Sequence, residues 1–149
     1  MNKAKLTPAS SVILAGGVIM LIGSFLPFYE FSILGVSRSW NAWSSFTNLF
    51  LFPLTTLIVV FGVVMAVQVA LATFAPGTSL PDRPLGFTWD QVHLVLAFQV
   101  AIMMLAYLIR DKGRLDWGAG FWLMLLAAIA LLAGAILRTR DTAGAPPLS

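Results

Sequence analysis

Four long stretches of apolar residues alternate with short polar connections along the chain. The longest stretch, residues 49–75, has no charged side chain and only four polar ones, Thr55, Thr56, Gln68 and Thr73. A helix needs roughly 20 apolar residues to cross the ~30 Å hydrocarbon layer of a bilayer. The pattern therefore predicts a membrane-spanning helix in this stretch.

The other apolar stretches predict three more spans, at residues 9–27, 89–109 and 117–137. Thr88 and Gln91 have the spacing of a capping box at the start of the third span. The fold class expected from this pattern is an all-α integral membrane protein, a four-helix transmembrane bundle that forms a single membrane domain over residues 1–149.

The first span has the basic start of a signal peptide, with Lys3 and Lys5 ahead of an apolar core. Residues 23–28, however, offer no small-residue cleavage site. Thr7-Pro8 supplies an N-cap and a first helical residue. We therefore predict an uncleaved span that ends at Pro27.

The connection between the first two spans is rich in aromatic residues. Trp40, Trp43 and Phe46 are spaced by three, which places them along one side of a short helix. Aromatic rings are typical of the membrane–water interface. We predict a short interfacial helix there, either as part of an aromatic belt or as a docking surface for a membrane protein or a lipid.

Small residues within the spans predict close helix packing. Gly16 and Gly23 share a face of the first span, and Ala130 and Gly134 share a face of the last. Beyond the last span, residues 141–149 are predicted to form a disordered tail.

Composition supports the membrane assignment: 59% of the residues are hydrophobic and 10% are charged, whereas soluble domains carry about 25% charged residues. The net charge of +3 comes without a basic cluster, so nucleic acid is not an expected partner. The absence of cysteine excludes disulfides, thiolate catalysis and cysteine-ligated metals.

Four spans place both termini on one side of the membrane. Lys3 and Lys5 precede the first span, which usually dominates orientation, and this favours cytoplasmic termini in the plasma membrane. The basic turn at residues 110–114 counts against that orientation.

Polar residues inside a bilayer are costly and are the first candidates for function. Gln68 and Gln99 lie at similar depths in the second and third spans, where they are expected to bond across the helices or to line a substrate path. His93 is the only histidine and lies near Asp90. It is either a proton acceptor or an interfacial polar residue.

Enzyme signatures are missing from the chain. Every charged residue lies in or beside a predicted loop, and the sequence contains no nucleophile elbow, zinc-binding H-E-x-x-H, P-loop or dinucleotide fingerprint. One histidine is too little for a metal site. We expect no catalytic residue, cofactor or metal, and no enzymatic activity.

Short motifs carry a resemblance that extends over nearly the whole chain: G-S-F-L-P-F-Y at residues 23–29, N-A-W-S at 41–44 and W-G-A-G-F-W at 117–122. The chain resembles small, mostly uncharacterised four-span membrane proteins of actinobacteria. The resemblance implies a plasma-membrane location and no particular activity. The four-span outline is also similar to that of claudins, but their G-L-W-x-x-C-x-x-C motif is absent, so we reject that family.

Two functional hypotheses follow. The first is an accessory or scaffold subunit that packs against another membrane protein or against itself. The alternative is a small transporter or channel subunit for an apolar or neutral solute, lined by Gln68, Gln99 and His93.

Overall fold

The computed structural model describes residues 6–44 and 51–144 of the chain. Its main elements are four long helices: α1 Pro8–Phe25, α2 Leu54–Phe74, α3 Trp89–Ile109 and α4 Ala119–Ala143. All four are long and apolar enough to cross a membrane. The expected set of four span-length apolar helices is confirmed.

The helix starts follow the local sequence. Thr7 caps α1, its Oγ1 accepting from the Ser10 backbone N–H at 3.1 Å. Thr88 and Gln91 form a reciprocal capping box on α3. These caps satisfy backbone donors that a helix leaves free in its first turn, and both were predicted from the sequence.

The helix bounds differ from the predicted spans at several ends. α1 ends at Phe25, two residues before the predicted end at Pro27. α2 begins after Pro53, because proline fits a helix start and not its interior. α4 begins two residues after Trp117 and continues to Ala143, so the first residues of the predicted tail are helical. Residues 145–149 of that tail lie outside the described residues.

A three-stranded antiparallel sheet occupies one end of the bundle. Its strands are β1 Tyr29–Ile33, β2 Val36–Trp40 and β3 Asp116–Trp117, in the order β2-β1-β3. β1 and β2 form a hairpin in which Tyr29 pairs with Trp40 and Ile33 with Val36. β3, from the connection between α3 and α4, pairs with the first two residues of β1.

A hairpin that the sequence analysis did not predict occupies residues 29–40, and the described residues do not show the short helix expected around Trp40, Trp43 and Phe46. Trp40 is the last residue of β2, Trp43 lies in a turn, and Phe46 lies outside the described residues. Apolar and polar residues alternate over residues 29–33, with the period of two that is typical of strands, whereas residues 37–39 after the turn are all polar. The spacing of three between the aromatic residues obscured this alternation.

α1 and α4 form the most extensive helix contact, and they run antiparallel. Small buried residues recur every seven positions on both helices: Ala9, Gly16 and Gly23 on α1, and Gly120, Ala127 and Gly134 on α4. Such a repeat keeps the small residues on one face, so that the two backbones approach closely.

Each glycine of this contact faces the partner helix. A methyl group on Gly16 would lie 3.0 Å from the Leu131 side chain, and one on Gly23 would lie 3.0 Å from that of Leu123. One on Gly134 would lie 2.7 Å from Ile13. Ala130, which was predicted to share this contact face, is half-buried and lies one helical turn from both Ala127 and Gly134.

The contact is tightest where α4 begins. A Cβ on Gly120 would lie 2.5 Å from the Leu26 carbonyl oxygen and 2.6 Å from that of Gly23. We expect Gly120→Ala to lower the free energy of unfolding by about 1–3 kcal/mol, because backbone atoms cannot move aside as a flexible side chain can. Thermal unfolding in detergent measures the loss.

Gly77→Ala is the matched control, since Gly77 lies in a loop where an added methyl group meets nothing within 4 Å. Equal stability of the two variants would contradict the backbone contact at Gly120.

Candidate functional sites at the two ends of the bundle

The end of the bundle that carries the sheet, the hairpin end, is held together by aromatic rings around Phe28. This side chain is fully buried and contacts four rings edge-on. Centroid distances run from 5.1 to 6.3 Å, to Tyr29, Tyr107, Trp117 and Phe121. Edge-to-face pairs each contribute about 0.5–1.5 kcal/mol beyond their buried area. The cluster therefore fixes the sheet firmly to α3 and α4.

Trp117 of β3 continues the cluster toward the surface. Its ring stacks between Tyr29, at 5.1 Å, and Phe121, at 3.8 Å. The Lys112 ammonium lies 5.5 Å from the Trp117 ring centroid, in a cation–π contact. Burial raises the pKa of the Tyr29 phenol, and the positive charge of Arg110 partly offsets this. Tyr29 is therefore a neutral, packed side chain at physiological pH.

The tip of the hairpin is apolar and exposed. Leu34 and Gly35 form its two-residue turn with φ values of 50° and 81°. The Leu34 side chain is 99% exposed, and Ile33 and Val36 beside it are exposed as well. No packing within the described chain accounts for this leucine.

Trp43, one of the three predicted docking residues, lies against the end of α1. Its indole Nε1 donates to Ser24 Oγ at 3.0 Å, and its ring stacks on Phe25 at 5.9 Å. The Phe25 ring is 62% exposed and the Trp43 ring 41%, and the interpretation as an aromatic belt stays a prediction. Trp40 is half-buried at the base of the hairpin.

The opposite end, the terminal end, holds the start of α1, the end of α4 and the connection from α2 to α3. An ionic cluster links α3 to α4 there. Arg138 Nε donates to Asp90 Oδ1 at 2.7 Å, and Arg138 Nη1 lies 3.4 Å from His93 Nδ1. Because a guanidinium only donates, Nδ1 accepts and the imidazole proton lies on Nε2. Nε2 is buried and has no hydrogen-bond partner among the described residues.

Gln68 on α2 is the other buried polar residue at this end. It is 5% exposed, and its Oε1 has no hydrogen-bond partner within the described part of the chain. Gln99 is exposed on the outside of the bundle, so the two glutamines do not bond to each other as expected. The path that Gln68, Gln99 and His93 were predicted to line together is therefore not formed.

Sequence reasoning missed the pairing of Arg138 with Asp90, although the signal was present. Asp90 lies 19 residues before the end of α3 at Ile109, and Arg138 lies 19 residues after the start of α4 at Ala119. In an antiparallel helix pair joined by a short connection, such residues lie at the same level, about 28 Å from the turn.

The charged and polar groups of this cluster contact one another. Asp90 is neutralised by Arg138, which also occupies one nitrogen of the only histidine. Over residues 6–44 and 51–144, no three His, Cys, Asp or Glu side chains come together in a way that could hold a metal ion.

Four helices long and apolar enough to span a membrane, with a small sheet at one end of their bundle, are the features of a multi-pass helical membrane protein. Comparison with protein-family models, curated proteins and solved structures finds no match for the chain. The resemblance to small four-span proteins of actinobacteria stays a prediction.

The ionic cluster at the terminal end is a testable source of stability. The two paired side chains are only 22% and 20% exposed, so removing one leaves the other poorly solvated. We expect Arg138→Met to lower the free energy of unfolding by about 1–3 kcal/mol.

Arg140→Met serves as its control, because Arg140 is exposed two residues further along the same helix. Thermal unfolding of both variants in the same detergent makes the comparison. A loss of equal size in both would show that the Asp90 pair contributes nothing specific.

Proposed function

We propose that this protein is a non-enzymatic accessory subunit of the plasma membrane, and that its hairpin tip docks on the extramembrane part of another membrane protein. The observation that carries the proposal is Leu34, an apolar side chain that is fully exposed and held in a left-handed backbone conformation. The exposure of the leucine and its backbone conformation each cost free energy, and neither stabilises the described fold.

The backbone cost arises from the turn itself. A two-residue hairpin loop with positive φ at both positions favours Asn, Asp or Gly at the first, because other side chains crowd the backbone there. A leucine in this conformation costs of order 1 kcal/mol or more. Strain of this kind tends to occur where a binding function requires it.

The hairpin is suited to present its tip to a partner. Its two strands pair over their whole length, and its base is anchored through Phe28 and Trp117 to the bundle. A rigid mount lowers the entropy lost on binding. Burying the leucine in an apolar pocket of the partner contributes about 1.5–3 kcal/mol.

The outer edge of β2 favours a partner of different sequence over a second copy. Ser37, Arg38 and Ser39 are exposed along it, with the arginine in the middle of the strand. Two-fold antiparallel pairing centred there would set Arg38 against its own copy, and like charges directly opposite destabilise a sheet.

Orientation is part of the proposal. Lys3 and Lys5 ahead of the first helix support cytoplasmic termini. The hairpin end then lies outside the cell, and the partner is a membrane protein with an exposed outer surface.

Leu34→Asn tests the docking role, and Leu85→Asn is its control. Leu85 has φ of 54°, is 95% exposed and precedes a glycine with positive φ, but lies in the α2–α3 connection at the terminal end. The tagged chain is purified from native membranes in mild detergent, and the intact mass of the complex is measured.

We expect a partner at fixed stoichiometry with wild type and with Leu85→Asn, and its loss with Leu34→Asn. Wild type recovered only as a monomer or homo-oligomer would contradict the proposal. So would a partner retained by Leu34→Asn, which would place the contact elsewhere.

The stability of the Leu34→Asn variant is a second test of the same residue. We expect Leu34→Asn to raise the free energy of unfolding by about 0.5–1 kcal/mol in purified protein, because asparagine tolerates the left-handed conformation. A thermal shift in detergent measures it. A lower stability would show that Leu34 contributes to the fold and that its exposure is not a cost.

A further inference from the structure

We infer that the terminal end holds a binding site for a small neutral solute with a carboxamide or hydroxyl group, whose inner wall is the Gln68 amide. The site is a cavity of about 310 Å³ between the last turns of α2, the connection to α3 and the ring of Trp89. It lies at the other end of the bundle from the hairpin, so it is independent of the docking proposal.

The cavity has the size and the mixed lining of a small-molecule site. Its volume is at the lower end of the range for ligand pockets, which suits a solute of about ten heavy atoms. Alanine, leucine and proline side chains make up the apolar part of its wall. Gln68, Thr78 and Asp82 supply the polar part, with Gln68 buried and the other two exposed at the mouth.

The wall is held in place without a ligand. Trp89 Nε1 donates to the Pro81 carbonyl oxygen at 2.9 Å, which ties the connection to the first turn of α3. Within the connection, the Thr78 N–H donates to the Ala75 carbonyl oxygen at 2.9 Å. A cavity with a fixed wall loses less entropy on binding than a mobile loop does.

Gln68 is the residue of the cavity wall that best supports a ligand site. Burying its Oε1 without a hydrogen bond costs about 1–3 kcal/mol, and leucine at this position would avoid that cost. The amide turns readily about its last torsion, so it can present either its carbonyl oxygen or its NH₂ group to the cavity. A carboxamide or hydroxyl, which both donates and accepts, can bond to whichever of these two groups faces the cavity.

The charged residues around the cavity disfavour the binding of an anion. Of the described residues that line the cavity, none is basic, and the Asp82 carboxylate stands at the mouth. An anion would meet Asp82 on entry and find no counter-charge inside. The apolar face of Trp89 is available to pack against a planar solute.

Nicotinamide and nicotinate are suitable probes, because they share a ring and differ in a neutral or an anionic group. Saturation-transfer NMR on the full chain in detergent measures the binding of each. We expect transfer to nicotinamide that saturates with concentration, and at least tenfold weaker binding of nicotinate.

Two variants locate the site. Gln68→Leu removes the amide, and Ala72→Phe fills the cavity from an exposed position one turn along the same face of α2. We expect each to weaken nicotinamide binding at least tenfold. Gln99→Leu, which changes an exposed glutamine on α3, should leave it unchanged.

Thermal unfolding of the same samples shows whether each variant is folded, and Gln68→Leu is expected to be at least as stable as wild type. Absence of nicotinamide binding to wild type would overturn the inference. Equal binding by wild type, Gln68→Leu and Ala72→Phe would overturn it too, since it would place the contact elsewhere or in the micelle. Equal binding of nicotinate would overturn the assignment of a neutral ligand.

Discussion

The structure depends on a backbone contact between the end of α1 and the start of α4. The Gly118 N–H donates to the Phe28 carbonyl oxygen at 3.0 Å, and the Gly120 N–H donates to that of Pro27 at 2.8 Å. Both bonds require glycine, because a side chain at either position would overlap the backbone of residues 26–27. On one side of this junction the two helices pack through their small residues. On the other side the chain enters the sheet, so the junction couples the bundle to the hairpin.

This coupling explains why so short a sheet is ordered. An isolated two-stranded hairpin is marginal in water, and β3 adds only two residues to it. Its stability comes from the rings around Phe28, which belong to β1, β3, α3 and α4. Because Phe28 immediately follows the junction, the same backbone geometry that closes the bundle also places the ring at the centre of the cluster. The base of the hairpin is therefore held by contacts with the helices that carry it.

Much of the fold could be predicted from the sequence, because hydrophobic length and capping residues act locally. The four helices, and the capping residues Thr7 and Thr88, follow from such signals. The hairpin was missed because the alternation is confined to residues 29–33 and is followed by aromatic residues spaced by three, and because the pairing of β1 with β3 joins residues far apart in the sequence. The candidate sites were harder to predict, because whether a polar residue is buried depends on which face of its helix points into the bundle. Gln68 and Gln99 are equivalent by sequence and depth, yet one is buried and the other exposed. The pairing of Arg138 with Asp90 was accessible in principle, because it follows from counting along two antiparallel helices.

Both ends of the bundle break ordinary rules of folding. At the hairpin end Leu34 is exposed on strained backbone, as Leu85 is at the terminal end, where the Gln68 Oε1 is in addition buried without a partner. Natural sequences violate local preferences mainly at functional sites, where a gain outside the isolated fold offsets the cost. The close contact of α1 with α4 gives the bundle a stable frame in which such costs are tolerated. Leu34 lacks an apolar surface to bury it, and Gln68 lacks a hydrogen-bonding group. Each deficit thus specifies the chemistry of what would relieve it, a protein pocket at one end and a neutral polar solute at the other.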